Sequence, residues 1–271
     1  MITSTTNERI KWIRKLQDRK GRQESGFFYI EGLRIVAEAV EQGAEIELLL
    51  VAPELLRSEF GQRLVGEQKA RGLTILEVSA EVFQRVALKD GPQGLAAVLR
   101  QRWESLATVQ LDVGATWVAL DAVADPGNLG TILRTGDAVG AQGVILLDQT
   151  TDPFDSSVTR ASMGAFFTPR MVRASFAEFA EWKREIGFQL VGTSDAAQAD
   201  YHDYRYPGEM VLLMGSERLG LQQHHLELCD SVVSIPMLGR SDSLNLAVAT
   251  AVVLYEILNQ RRDSHDRNTR R

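Results

Sequence analysis

The chain has 271 residues, 44% of them apolar and 24% charged, with 30 Lys and Arg against 36 Asp and Glu. That composition belongs to a globular protein and excludes a disordered or collagen-like chain; the length allows one large or two modest domains whose cores need no staple. The single cysteine, Cys229, excludes an internal disulfide framework and any four-cysteine zinc site, and suits a reducing cytoplasm.

In chain order, the first 22 residues are basic. Arg9, Lys11, Arg14, Lys15, Arg19, Lys20 and Arg22 meet only Glu8 and Asp18, and five arginines lie within 261–271. The net charge of −6 therefore hides positive ends around an acidic middle. Local field, not net charge, meets a polyanion. The seven N-terminal bases are candidate nucleic-acid contacts, against the commoner reading of a charge run as a solvated helix face. No apolar core of a secretory signal follows them, and no stretch reaches the roughly 18 apolar residues of a membrane span.

Phe27–Ile30 predicts a strand, Leu33–Gln42 a helix ended by Gly43, and Glu47–Val51 a second strand. A polar helix follows Pro53, then a strand at Thr74–Val78. Ser79 caps a short helix carrying Val82, Phe83 and Val86 on one face. The turn Gly91-Pro92-Gln93-Gly94 leads into a buried-type strand, Leu95–Leu99. Trp12, Phe27, Phe28 and Tyr29 are aromatic enough to stack on bases, but strand alternation favours core packing for the run 27–29. Residues 1–102 read as one α/β domain, 103–114 as a linker and 115–262 as a second domain. In the second, strands at Trp117–Ala122, Val144–Leu147, Phe188–Gly192, Met210–Met214 and Val232–Ile235 alternate with helices. Those helices lie near 128–139, 157–166, 176–186, 221–228 and 246–260. The alternation implies a parallel sheet covered on both faces.

Three segments there put glycine and small polar residues just after an apolar strand, the edge where open parallel sheets bind ligands. The first is Asp125-Pro126-Gly127-Asn128-Leu129-Gly130, running on to Arg134-Thr135. Asn128 and Arg134, six apart, lie about 240° apart around a helix, so they share a site only if Asn128 precedes the helix proper. The second, Leu213-Met214-Gly215-Ser216-Glu217-Arg218-Leu219-Gly220, reads alone as a plain turn. The third runs from Ile235-Pro236-Met237 to Ser243-Leu244-Asn245, and its backbone suits the edges of a flat heterocycle such as adenine. Cys229 reads as a half-buried structural thiol, which disfavours chemistry through a cysteine adduct. No metal is expected: His202, His224, His225 and His265 lack ligand spacing, and Asp152, Asp155 and Asp195 read as turn formers.

Taken jointly, Asn128-x-Gly130-x3-Arg134-Thr135, Leu213-Met214-Gly215-x-Glu217-x2-Gly220 and Ile235-Pro236-Met237-x-Gly239-x3-Ser243-Leu244-Asn245 resemble the SpoU (TrmH) family of RNA 2′-O-ribose methyltransferases. The likeness covers roughly 115–260. Phe28-Tyr29-Ile30-Glu31-Gly32-Leu33-Arg34 more loosely resembles that family's L30e-like RNA-binding domain. One departure is Gly136, where the family often has alanine.

The resemblance implies an α/β fold: a C-terminal trefoil-knotted, parallel-sheet methyltransferase domain beside a smaller N-terminal α/β (L30e-like) domain. It also implies a cytoplasmic homodimer using S-adenosylmethionine and no metal on structured RNA, with ribosomal RNA favoured and tRNA open. It places Gly215, Ile235, Met237 and Leu244 at the cofactor, and Asn128, Arg134, Glu217, Ser243 and Asn245 among the catalytic polar residues. The alternatives are a knotted base N-methyltransferase and a catalytically silent RNA-binding factor. Arg134 stands either as a transient base or as a phosphate clamp, since a guanidinium stays protonated to a pKa above about 12.

Overall fold

The computed structural model describes residues 1–269, with side chains described as far as Asp263. The expectations placed on His265 and on Arg267, Arg270 and Arg271 lie outside what is described.

Helix α1 (Glu8–Lys15) opens at Asn7, whose side chain accepts from the Arg9 N–H, and turns Ile10 and Ile13 fully inward. Then come α2 (Arg19–Ser25), β1 (Phe27–Glu31), α3 (Leu33–Glu41), β2 (Ile46–Val51), α4 (Glu59–Ala70), β3 (Thr74–Glu77), α5 (Ala80–Val86) and β4 (Leu95–Arg100). The Ser79 hydroxyl accepts from the Val82 N–H and starts α5. The four strands order as β1-β4-β2-β3. This first unit is α/β as expected, with a mixed sheet rather than an all-parallel one. The turn at 91–94 sends β4 back antiparallel to both β1 and β2, leaving only β2 and β3 parallel. Helix α1 buries Ile10, Ile13 and Leu16 with Tyr29, Leu50, Phe83 and Val98.

The chain continues through β5 (Thr116–Asp121), α6 (Pro126–Val139) and β6 (Gly143–Leu147). It then makes an excursion, with α7 (Ser156–Ala161) and a single 3₁₀ turn at Ala165–Phe167. By contacts, Asp152–Phe167 belongs with Met1–Arg102 in one compact unit; Trp103–Thr151 and Thr168–Arg271 form the other. The reason is aromatic: Phe154 and Phe166 pack on Phe28 at ring-centroid distances of 4.9 and 5.6 Å. The helix expected over 157–166 breaks because Met163 (φ 52°) and Gly164 (φ 93°) both turn left-handed.

The second unit resumes with β7 (Arg170–Ala174), α8 (Phe176–Ile186), β8 (Gln189–Thr193), β9 (Ala199–Asp200), β10 (Met210–Met214), α9 (Gln223–Leu228), β11 (Ser231–Ser234) and α10 (Leu246–Thr269). The sequence reading has no counterpart for β7, whose apolar run Arg170 and Arg173 interrupt, or for the two-residue β9. The seven strands order as β7-β6-β5-β10-β8-β11-β9, and every pairing is parallel. All residues of β5, β6 and β10 are buried, as a sheet covered on both faces requires. From β5 the chain runs outward through β6 and β7, while β10 lies on the other side of β5. That reversal is a topological switch point, and open parallel sheets bind their ligands at such points, beyond the carboxyl ends of the strands.

Candidate active site

The loops that follow β5 and β10 meet at the switch point. After β5 the backbone turns left-handed at Ala122 (φ 48°), and Asp125 then caps α6 by accepting from the Asn128 N–H at 2.8 Å. Pro126 at the head of α6 lacks an N–H that would go unpaired there anyway. The cap places Asn128 within the first turn, its side chain at the end of the strand. Asn128 is buried, and its Nδ2 donates to Glu217 Oε1 at 3.0 Å. The Ala124 and Asp125 N–H groups donate to the same carboxylate, each at 3.1 Å. On its other side Asn128 Oδ1 accepts from Asn245 Nδ2 at 2.9 Å. Asn245 Oδ1 in turn accepts from the Ala247 and Val248 N–H groups and so caps α10.

The chain of bonds has one direction. Glu217 only accepts and the α10 amides only donate, so both asparagine amides are oriented by the ends of the chain. Partial desolvation raises the Glu217 pKa, but the hydrogen bonds from Asn128, Ala124, Asp125 and its own backbone outweigh it. The carboxyl is therefore held below its ordinary value, as an anion. Glu217 is thus a strut that ties the β10 loop to the head of α6, its two oxygens taking donors from Asn128, Ala124 and Asp125.

Gly215 makes the β10 loop possible. A Cβ there would overlap the Gly220 carbonyl and the Leu221 nitrogen, because residues 216 and 220 pair across the loop. The third segment, 235–244, adopts neither helix nor strand. Its backbone groups stay outside any ladder, and Ile235 and Met237 are half-buried while Leu244 is 36% exposed. Ser243 is exposed there.

Arg134 lies apart from this chain of hydrogen bonds. Asn128 lies inside α6 rather than in a loop before it, so the two residues take different faces of the helix. Arg134 is exposed and makes no hydrogen bond or ion pair among the described residues. The structure therefore brings together Asn128, Glu217 and Asn245, and does not bond Arg134 or Ser243 to them.

Residues 115–255 match the SpoU rRNA Methylase family, and residues 7–97 match the MRM3-like substrate binding domain. The chain belongs to the SpoU rRNA methylase family. It is 31% identical to the 23S rRNA (guanosine(2553)-2′-O)-methyltransferase RlmP of Bacillus subtilis, covering 94% of this chain and 98% of that protein. It is also 31% identical to the 23S rRNA (uridine(2479)-2′-O)-methyltransferase of Streptomyces viridochromogenes, covering 96% and 92%. The crystal structure of AdoMet-bound rRNA methyltransferase from Sinorhizobium meliloti superposes with a TM-score of 0.86 at 40% identity, covering 94% of this chain and 96% of that one.

In this SpoU-family chain the remaining titratable groups serve other ends. Sequence reasoning missed a buried pair, Asp121 at the end of β5 and His225 on α9. His225 Nδ1 accepts from the Gln222 N–H at 3.0 Å, so Nε2, 3.6 Å from Asp121 Oδ1, carries the proton of the neutral ring. Burial lowers the His225 pKa, with Asp121 only partly opposing it, and burial likewise raises that of Asp121. A carboxylate closing an apolar strand was the only signal available; nothing in sequence marks His225 as its partner. Among the described residues no cluster of three or more His, Cys, Asp or Glu is placed to hold a metal ion. Burial, then Asp230, pushes the Cys229 thiol up to about 12, which leaves it protonated at neutral pH.

The N-terminal bases divide. Arg9, Lys11, Arg14, Lys15, Arg19 and Lys20 are exposed, with Lys11 paired to Glu8 at 2.7 Å. Arg22 is corrected: it is 3% exposed and spent internally. Its guanidinium donates to Asp152 Oδ2 at 2.7 Å, to Asp155 Oδ2 at 3.0 Å and to the Leu16 and Gln17 carbonyls. An arginine packed between two carboxylates has no face left for a phosphate.

Proposed function

We propose that this protein is a cytoplasmic homodimer that methylates a ribose 2′-hydroxyl of ribosomal RNA, with S-adenosylmethionine as donor. The observation that carries the reading is the Glu217–Asn128–Asn245 chain of hydrogen bonds. It ties three glycine-bearing loops together beyond the carboxyl ends of one parallel sheet. The 23S rRNA 2′-O-methyltransferase relatives support the substrate class, and the AdoMet-bound neighbour supports the donor.

The residues present fit that donor. Unladdered backbone in 235–244 offers donors and acceptors to an adenine edge, and Ile235, Met237 and Leu244 offer apolar faces, beside the close-packed Gly215. When bound, the cofactor supplies a sulfonium methyl to an attacking oxygen. The chain must then hold the hydroxyl in line and let its proton go. Glu217 is a poor proton acceptor, because its hydrogen bonds hold its carboxyl below its ordinary pKa and tie it to the head of α6. Arg134, exposed and unpaired, suits a bidentate clamp on the neighbouring phosphate, with the hydroxyl proton leaving to water. Ser243 and Asn245 border the same loop and orient sugar and cofactor.

Support for the second copy comes from α10. Val248 and Tyr255, seven residues apart and so on one face, are 48% and 46% exposed. A partner subunit would cover them. No helix among the described residues is long and apolar enough to cross a membrane.

The test is transfer of labelled methyl to ribosomal RNA from cells lacking the gene, followed by alkaline hydrolysis. A ribose methyl survives as an alkali-resistant dinucleotide; label on a base, or preferential labelling of tRNA, overturns the reading. Arg134→Lys should bind RNA within about tenfold of wild type, keeping the charge, yet lose turnover by about a hundredfold or more as the bidentate geometry goes. Turnover like wild type would remove Arg134 from the mechanism.

A further inference from the structure

The first unit holds a half-open cavity of about 180 Å³ at the end of β1, beside α3, α7 and the turn after α5. Glu31 lines it. That residue is 9% exposed; its Oε2 accepts from the Leu88 N–H at 2.5 Å, and its Oε1 is buried without a partner. Burial raises the Glu31 pKa, while the Leu88 N–H, Lys89 and Arg160 pull it back. A buried acceptor lacking a donor costs about 1–3 kcal/mol. A ligand carrying N–H groups would recover that cost.

The rest of the cavity narrows the ligand's chemistry. Lys89, Arg160 and Arg34 are exposed at its rim; Arg34 pairs with Glu38 at 3.5 Å, which leaves the rim net positive and calls for an anion outside. Leu33, Leu88 and Met163 supply apolar wall, which calls for a flat uncharged body within. Met163 is 47% exposed and holds a left-handed backbone (φ 52°), a strained state for a long side chain. Gly164 follows it left-handed, its α-carbon against the Glu38 carboxylate where a Cβ would collide. This kink shapes one wall. A flat heterocycle with N–H groups at one edge and a phosphate at the other is a nucleotide.

The base follows from the donors. Guanine alone presents two adjacent donors, N1–H and N2–H, to a carboxylate that only accepts. Uracil flanks its N3–H with two carbonyls, and adenine and cytosine each set a bare ring nitrogen beside the amino group. We propose that this cavity takes an unstacked guanine base of the RNA, with N1–H and N2–H on Glu31 and the phosphate on the Arg34–Lys89–Arg160 rim. The RNA source rests on the methyltransferase reading; the guanine chemistry does not.

The test is equilibrium dialysis of the full-length protein, without S-adenosylmethionine, against GMP, IMP, AMP, CMP, UMP and guanosine, and against the pentanucleotides UUGUU and UUUUU. GMP should be held about tenfold or more over AMP, CMP and UMP, and also over IMP, which lacks the N2 donor. Glu31→Gln should erase that preference, and Arg160→Ala should weaken GMP but not guanosine. UUGUU should bind about tenfold tighter than GMP, whereas tighter binding of free GMP overturns the RNA source. Equal retention of all four standard nucleotides, or an undiminished preference in Glu31→Gln with wild-type circular dichroism, overturns the proposal. Should Glu31→Gln not fold, the GMP-to-IMP ratio and Arg160→Ala decide on the native fold. A protein that methylates RNA but does not rank the bases loses this inference alone. One that ranks them but transfers no methyl loses the proposed function and keeps the cavity.

Discussion

Replacing Asn128 tests the polar chain at the switch point most directly. Its amide donates to an ionised carboxylate at 3.0 Å and accepts from Asn245 at 2.9 Å. A hydrogen bond to a charged group contributes about 1.5–3 kcal/mol, and a neutral one about 0.5–1.5. Glu217 and Asn245 are exposed, so water takes over their lost bonds and Asn128→Ala should cost about 2 kcal/mol, near the lower end of the combined range. For a unit of this size that is about 4–8 °C in Tm. Asn128→Asp is nearly isosteric and would cost less if only volume mattered. The geometry demands the opposite, since it sets a second carboxylate about 3 Å from Glu217 with no N–H between them. The introduced carboxyl's folded pKa is then raised above its unfolded value near 4. The added deficit is therefore absent below that pH and grows as pH rises through the raised value. Scanning calorimetry of both variants from pH 4 to 8 reads this. Asn128→Asp should melt below Asn128→Ala at pH 7.5 and approach it near pH 4. An Asn128→Asp protein as stable as Asn128→Ala at pH 7.5 would refute the assigned bond direction.

Other outcomes follow from the same geometry. Arg22→Met leaves Asp152 and Asp155 without their cation and should cost the first unit about 3–5 kcal/mol in denaturant melts. Exposed Arg14→Ala with Lys15→Ala should leave stability alone and reduce the salt slope of RNA binding by about two; a slope change from Arg22→Met that matches theirs would count against a buried role. Cys229→Ser should keep turnover within about threefold of wild type, because a thiol held up to about 12 is no nucleophile at pH 7.5; loss of the reaction with the fold intact would argue for a cysteine adduct. Gly215→Ala should abolish cofactor binding by calorimetry, as the Cβ forces residues 220–221 away; affinity equal to wild type would show that loop to be uninvolved.

Much of the second unit was legible because local rules and the tertiary outcome agree there. The β10 segment Met210–Met214 is a continuous apolar run with turn residues on both sides, and only a strand buried on both faces suits it. Asp125 with Pro126 marks a helix start, which the cap confirms. Strand β7 escaped because Arg170 and Arg173 break its pattern. Arg170 pays for its place through Glu104, a residue 66 positions away that no local window contains.

The sequence alone settled the residue types: a strand-terminal glycine loop, a capped helix and an asparagine at the head of the last helix, each dictated within a few neighbours. Which of them touch was decided by the parallel sheet, whose strand order sets β10 beside β5 and so carries Glu217 to Asn128. The same holds for Arg22. Its charge is a property of the chain, but its burial comes from Asp152 and Asp155, well over a hundred residues away. Hydrogen bonds of such span depend on how elements pack, and packing is not written in local periodicity.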